Sequence, residues 1–96
     1  MSEVSVTRAP ERQRYEARVE GRLAGFAEYV EKGAAVVFTH TEVGDEFEGQ
    51  GVGSALARWA LDDVRASGRS VVPSCPFIRG WIDKHPDYAD LVADPV

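Results

Sequence analysis

Hydrophobic and polar residues alternate along the first half of the chain, and this pattern indicates β-strands. The clearest case is residues 14–20, where Tyr15, Ala17 and Val19 alternate with charged side chains. Residues 23–30 continue as a second strand after a glycine-containing turn. Further strands are predicted over residues 4–8 and 34–43.

Helical periodicity replaces the alternation in the second half of the chain. Two apolar stripes at helical spacing predict two helices, the first with Leu56, Ala57, Ala60, Leu61 and Val64, the second with Phe77, Ile78, Trp81 and Ile82. Gly68 is a typical helix stop, and the second helix should end near Lys84 because Pro86 follows closely. A short strand is predicted over residues 70–75, between the helices, and Pro73 in it favours an edge position or a distortion.

The order of these elements predicts an α+β fold over one domain, residues 1–96. Residues 34–43, the first helix and residues 70–75 make a strand–helix–strand unit, which is normally a parallel crossover. The preceding hairpins are antiparallel, so the sheet is expected to be mixed, with two main helices beside it. Residues 34–43 are apolar on both faces in their first half, as expected for a central strand covered on both sides. Residues 93–96 are expected to fray.

Charge and composition narrow the classes of partner. The net charge is -5 and the pI about 4.9, whereas a nucleic-acid-binding protein usually carries a basic face, so no nucleic-acid partner is expected. No apolar run has the length of a signal peptide or a membrane span, so no membrane partner is expected. One cysteine, Cys75, cannot form an intrachain disulfide, and a reducing, cytoplasmic location is expected.

Three glycines, Gly49, Gly51 and Gly53, lie between a predicted strand and a predicted helix. The first N–H groups of a helix lack internal partners and lie at the positive end of the helix dipole, so glycines there would let a bulky anion approach. A tight turn alone would also need glycine. A Walker A loop is excluded because Ser54 follows Gly53 without a lysine. The dinucleotide fingerprint is excluded because Leu56 stands where a third small residue is required.

This loop resembles the coenzyme A loop of the GNAT acetyltransferase superfamily, Arg/Gln-x-x-Gly-x-Gly/Ala. The stretch from Glu48 to Gly53 matches both glycines and has glutamate in the first position. The chain is more closely similar to the minimal, YjdJ-type branch of that superfamily. That similarity rests on segments in the same order and spacing: HTEV at 40–43, the loop with its helix, Ala60-Leu61, VVPSCPF at 71–77 and HPDYADL at 85–91.

The resemblance implies a small GNAT-like fold, N-acetyltransferase activity, acetyl-CoA as cosubstrate without a metal, and a cysteine near the reactive end of the cofactor. The residues that it places at the cofactor are Thr41, Val43, Gly49, Gln50, Gly51, Val52, Gly53 and Ser54. Longer family members carry additional helices and strands that shape the acceptor pocket. The acceptor amine, a small molecule or a protein, therefore stays unidentified.

His40, Glu42 and Cys75 are the candidate catalytic residues. Transfer to an amine needs a base that titrates near the working pH, and histidine is of the right type. His40 is expected on the same strand face as Phe38 and Glu42. Cys75 ends the next parallel strand, where ligands bind in open sheets, so His40 and Cys75 are predicted neighbours. Each candidate also has a purely structural interpretation, as a hydrogen-bonded histidine, a solvated glutamate and a buried cysteine.

Two classes of function remain. The first is an N-acetyltransferase in which the amine attacks acetyl-CoA directly in a ternary complex, with a variant that passes the acetyl group through Cys75. We favour direct attack, as the resemblance implies. The second is a non-catalytic acyl-CoA-binding or protein-interaction module that kept the loop and lost the acceptor site. Amine-dependent release of free CoA from acetyl-CoA distinguishes the two classes.

Overall fold

The computed structural model describes residues 3–93, which form one five-stranded sheet and several helices. The strands are β1 (Val4–Ala9), β2 (Arg14–Val19), β3 (Arg22–Lys32), β4 (Ala35–Val43) and β5 (Ser70–Pro73). They lie in chain order across the sheet. The first four strands pair antiparallel, and β4 pairs parallel with β5. The predicted α+β fold with a mixed sheet is confirmed, and Pro73 lies on an edge strand as expected.

Within residues 3–93 one α-helix lies between β4 and β5, a second follows β5, and there are three 3-10 helices of one or two turns. The helices are α1 (Val52–Ala66) and α2 (Pro76–Asp83), and the 3-10 helices are Pro10–Arg12, Asp45–Phe47 and Pro86–Leu91. The chain leaves α1 through Gly68, whose φ is +74°, which is the predicted stop. The N–H of Ala93 donates to the carbonyl of Val71 at 2.8 Å, so this residue is fixed. The rest of the end expected to fray, residues 94–96, lies outside the described residues.

The hydrophobic core lies on one face of the sheet, here called the helix face, which bears Tyr15, Tyr29 and Phe38. The ring of Trp59 on α1 stands edge-on against Tyr15, with 5.7 Å between centroids. The predicted apolar stripe of α1 is completely buried on this face, namely Leu56, Ala57, Ala60, Leu61 and Val64. Burial of each large side chain contributes roughly 1.5–3 kcal/mol, so this stripe fixes α1 on the sheet.

The opposite face of the sheet, here called the open face, bears Glu16, Phe26 and Val37. No helix within residues 3–93 packs on it, because α1 and α2 lie together on the helix face, where Trp81 Nε1–H donates to Ser54 Oγ at 3.0 Å. Val37 is accordingly half-buried, although its neighbours in β4 are buried. The expectation that β4 is covered on both sides is therefore wrong.

A β-bulge interrupts β4 at Thr39. Phe38 pairs with Tyr29 and His40 pairs with Glu28, so Thr39 is an extra residue that has no paired residue on β3. One extra residue shifts every following side chain to the other face of the sheet. Phe38 is buried in the core, whereas His40 lies on the open face. The expectation that the two share a face is therefore wrong.

Candidate active site

The loop before α1 starts the helix without a side-chain cap. Gly49 and Gly51 have φ of +81° and +77°, a left-handed conformation that favours glycine. The first helical hydrogen bond runs from the N–H of Ala55 to the carbonyl of Gly51 at 3.0 Å. The N–H groups of residues 52–54 therefore have no helical acceptor. No acidic residue lies in the first turn, so this end keeps the partial positive charge of the helix dipole.

Gly53 has a different reason to be glycine. A β-carbon built on it would lie 2.7 Å from Cζ of Phe77, whereas β-carbons on Gly49 and Gly51 would meet nothing within 4 Å. The ring that approaches Gly53 belongs to α2. The expectation that all three glycines make room for an anion is corrected at Gly53, where the glycine makes room for Phe77.

An open pocket of about 440 Å³ lies in front of this loop, within the usual range of small-molecule sites. Its lining residues are Val43, Phe47, Glu48, Gly49, Gly51, Val52, Gly53, Ser54, Phe77 and Trp81. Six of the eight predicted cofactor residues thus line one pocket. Gln50 does not, and its side-chain amide donates to the carbonyl of Glu46 at 3.4 Å. Thr41 lies further back along β4.

The sequence pattern identified Phe77 and Trp81 only as members of an apolar helix stripe. In the structure Phe77 is 43% exposed and borders the pocket. Trp81 is buried, and the ring of His85 stacks on it at 3.7 Å between centroids. The position of Phe77 in the first turn of α2 could have indicated its place at the pocket. Helices that follow parallel strands begin at the same edge of the sheet, so the first turns of α1 and α2 are expected to lie close together.

Strands β4 and β5 diverge beside the pocket. Their pairing ends at Phe38 and Pro73, and the last link is the hydrogen bond from the N–H of Cys75 to the carbonyl of Phe38 at 2.8 Å. Residues 39–43 continue along β4 without a neighbouring strand on that side in the described chain. This opened edge offers backbone groups to a ligand, which is the arrangement needed to polarise a carbonyl.

The candidate catalytic side chains lie on opposite faces of the sheet beside this opened edge. His40 and Glu42 share the open face, with 3.2 Å between His40 Nε2 and Glu42 Oε1, and both are largely exposed. Cys75 is 3% exposed and packs in the core, where its Sγ lies 3.4 Å from Oγ1 of Thr41. The structure therefore does not bring His40 and Cys75 into contact. The bulge at Thr39 is the reason, because it turns Thr41 toward the cysteine and His40 away from it.

Neither a metal centre nor a membrane-spanning helix is found in residues 3–93. No three His, Cys, Asp or Glu side chains there are grouped so that they could hold a metal ion. None of the helices in that part of the chain is long and apolar enough to cross a membrane.

Comparison with known proteins agrees with the loop and the divergent strands. Residues 14–91 match the family of GCN5-related N-acetyl-transferases. The chain belongs to this family. Membership supports N-acetyltransferase activity in general and confirms the resemblance to GNAT proteins. No curated protein matches the chain.

Two solved structures are similar in fold to this chain. A GCN5-like protein from Staphylococcus aureus, solved by NMR, superposes with a TM-score of 0.73 at 22% identity, over 100% of this chain and 94% of that one. A ribosomal-protein-alanine N-acetyltransferase from Brucella melitensis biovar Abortus superposes with a TM-score of 0.57 at 23% identity, over 86% of this chain and 62% of that one. The chain spans nearly all of the S. aureus protein and less than two thirds of the Brucella protein.

Proposed function

We propose that this chain binds acetyl-CoA in the loop pocket and transfers its acetyl group to an amine. The observation that carries the proposal is the start of α1, where N–H groups without helical acceptors face a pocket of about 440 Å³. A pyrophosphate there would accept hydrogen bonds from those N–H groups at the positive end of the helix. The proposed contacts remain those predicted: Thr41, Val43, Gly49, Gln50, Gly51, Val52, Gly53 and Ser54.

The opened edge of β4 is the proposed place for the thioester. An extended pantetheine arm could pair with the free backbone of residues 39–43, as an added strand would. A backbone N–H there would donate to the thioester carbonyl oxygen and stabilise the negative charge that develops on it during attack. Thr41 and Val43, which return to the helix face after the bulge, would border the arm.

The proposed reaction is direct attack. The amine nitrogen forms a bond to the carbonyl carbon, the carbon–sulfur bond breaks, and CoA leaves as the thiolate. His40 takes the proton that the amine loses and returns it to the sulfur, while Glu42 orients the imidazole through the 3.2 Å contact. Cys75 would line the opposite side of the edge, with its thiol held against Thr41, and would carry no acetyl group.

A pair of glycine substitutions tests the cofactor site. Gly51 and Gly21 have nearly the same φ, +77° and +79°, and a β-carbon on either meets nothing within 4 Å. Alanine at either position should lower the free energy of unfolding by a similar amount, roughly 1–2 kcal/mol, because it strains the backbone. Gly51→Ala should also weaken acetyl-CoA binding at least about tenfold, because the new methyl group enters the pocket. Calorimetric titration that gives Gly51→Ala and Gly21→Ala the same Kd would refute the proposed site.

A non-catalytic acyl-CoA-binding module is the second candidate. It is favoured by the open face around His40, which no helix in residues 3–93 encloses. The two candidates are separated by a free-thiol assay of CoA release over a panel of amines, with binding measured in parallel. Amine-dependent release supports transfer. Tight acetyl-CoA binding without release for any amine supports the binding module.

A further inference from the structure

Two cross-strand rows of side chains run over the open face, from β2 through β3 to β4. One row consists of Arg14, Glu28 and His40, and the adjacent row consists of Glu16, Phe26 and Glu42. Neighbouring strands lie about 4.8 Å apart, so each row spans about 10 Å. The proposed catalytic pair of His40 and Glu42 therefore forms one end of a continuous surface whose other end is on β2.

The β2 end of this surface is basic. Three guanidinium groups share the single carboxylate of Glu16, which is 5% exposed: Arg14 at 2.7 Å, Arg18 at 3.0 Å and Arg12 at 3.5 Å. Glu16, together with Glu28 opposite Arg14 on β3, sets two carboxylates against these three guanidinium groups, so the cluster keeps one positive charge in excess. On a chain with a net charge of -5, this arginine cluster of Arg12, Arg14 and Arg18 is a local exception.

The β4 end of the surface is acidic. Glu28 is half-buried in the row between Arg14 and His40, and Glu42 is exposed beside His40. Phe26 lies between the two ends, with the guanidinium of Arg14 over its ring at 4.5 Å and the ring of His40 at 6.2 Å. The surface thus has an aromatic centre and opposite charges at its two ends.

We propose that the open face recognises the acceptor, and that the acceptor is a peptide segment whose amine is followed, about 10 Å away, by an acidic side chain. This inference rests on the proposed transfer reaction. The incoming ammonium group would be attracted to Glu28 and Glu42 and would lose its first proton to water there; the free amine then attacks, and His40 takes the second proton as described above. The acidic side chain would bind the arginine cluster. Extended chain advances about 3.3 Å per residue, so the acidic residue would be the third after the residue that bears the amine.

A matched pair of peptides tests this recognition. Both are tetrapeptide amides with a free amino terminus, one with glutamate and one with glutamine in the fourth position. Wild type should acetylate the glutamate peptide with a kcat/KM about tenfold higher, the usual scale of one charge-assisted hydrogen bond. The preference should shrink as salt is raised, because exposed charges are screened.

Two substitutions should move the preference in opposite directions. Arg12→Gln removes a charge from the most exposed member of the cluster and should raise KM for the glutamate peptide only. Glu16→Gln releases the arginines from their carboxylate and should lower that KM. Arg65→Gln is the matched control, since it removes an arginine that pairs with Asp90, away from the open face. It should leave KM for both peptides unchanged.

A binding measurement keeps the inference separate from the transfer reaction. The same peptides, labelled at the C-terminus, are titrated by fluorescence anisotropy into the protein saturated with CoA. Selective binding of the glutamate peptide, with no CoA release from acetyl-CoA when the same peptides are assayed for transfer, would refute transfer and support the recognition surface. Transfer with equal kcat/KM for both peptides, or a preference that Arg12→Gln leaves unchanged, would overturn the recognition surface and leave the transferase proposal standing.

Discussion

The ring of Phe77 rests against the backbone of Gly53 so closely that a β-carbon on the glycine would lie 2.7 Å from Cζ. This contact joins the first turn of α1 to the first turn of α2. It also sets one wall of the loop pocket, because both residues line it. The position of the Phe77 ring, and with it the shape of the pocket, therefore depends on the absence of one methyl group.

The Gly53–Phe77 contact predicts that Gly53→Ala harms the pocket more than the fold. Phe77 is partly exposed and can swing outward, so the melting temperature should fall only slightly. Acetyl-CoA binding should weaken several-fold because the displaced ring changes the pocket wall. In a Phe77→Leu background the same Gly53→Ala change should have a smaller effect on Kd. Strict additivity of the two substitutions in calorimetric titration would count against the contact as the cause.

The exposed position of His40 and Glu42 predicts that substitutions there reduce turnover without weakening acetyl-CoA binding. His40→Ala should reduce kcat by roughly a hundredfold, the lower end of general-base contributions. Glu42→Gln should reduce it less, since the glutamate only orients the imidazole. Neither substitution should change acetyl-CoA affinity or the melting temperature, because both side chains are exposed on the open face. Wild-type kcat in His40→Ala would remove this residue from the mechanism.

The sequence pattern predicted the elements well because their periodicities are long and consistent. The apolar stripe of α1 is buried along its whole length, and the alternation in β2 sets Tyr15, Ala17 and Val19 on the helix face. These features are local properties of the chain. The half-buried state of Val37 was not predicted, because an apolar residue does not reveal whether a helix covers it.

The site was harder to predict, because two of its features depend on tertiary structure. The alternation from Phe38 to His40 gives no sign of the extra residue at Thr39, which becomes visible only through pairing with β3. The use of Gly53 as space for Phe77 likewise depends on the packing of α2 against α1. The loop itself was predicted, since its glycines are adjacent in sequence to the helix that they start.

The buried position of Cys75 predicts that the acetyl group is never bound covalently to the protein. Its thiol is 3% exposed and contacts the hydroxyl of Thr41, whereas His40 lies on the opposite face and cannot activate it. Cys75→Ser should therefore keep most of kcat, and mass spectrometry after incubation with acetyl-CoA should find no acetyl adduct on denatured wild type. A stable adduct on wild type that Cys75→Ser lacks, together with lost turnover, would instead establish transfer through the cysteine.

Glu16 predicts acid sensitivity of the fold. The hydrogen bond from Arg14, with help from Arg18, lowers the pKa of the Glu16 carboxyl below its ordinary value of 4.5. A carboxylate whose pKa is lower in the folded state stabilises the fold fully above the unfolded-state pKa, and this contribution is lost as the pH falls through the folded-state pKa.

Urea unfolding between pH 7 and pH 3 measures the contribution of Glu16. Glu16→Gln should lower the free energy of unfolding at pH 7 by about 1–3 kcal/mol, because it replaces charge-assisted hydrogen bonds with neutral ones. Below about pH 4.5 the difference between wild type and Glu16→Gln should shrink, because the unfolded wild type takes up a proton at this carboxyl before the folded state does. Glu31→Gln is the control, because Glu31 also pairs with arginines but is exposed, and it should leave most of the acid sensitivity in place. A constant difference between Glu16→Gln and wild type across this range would show that the carboxyl does not titrate with unfolding.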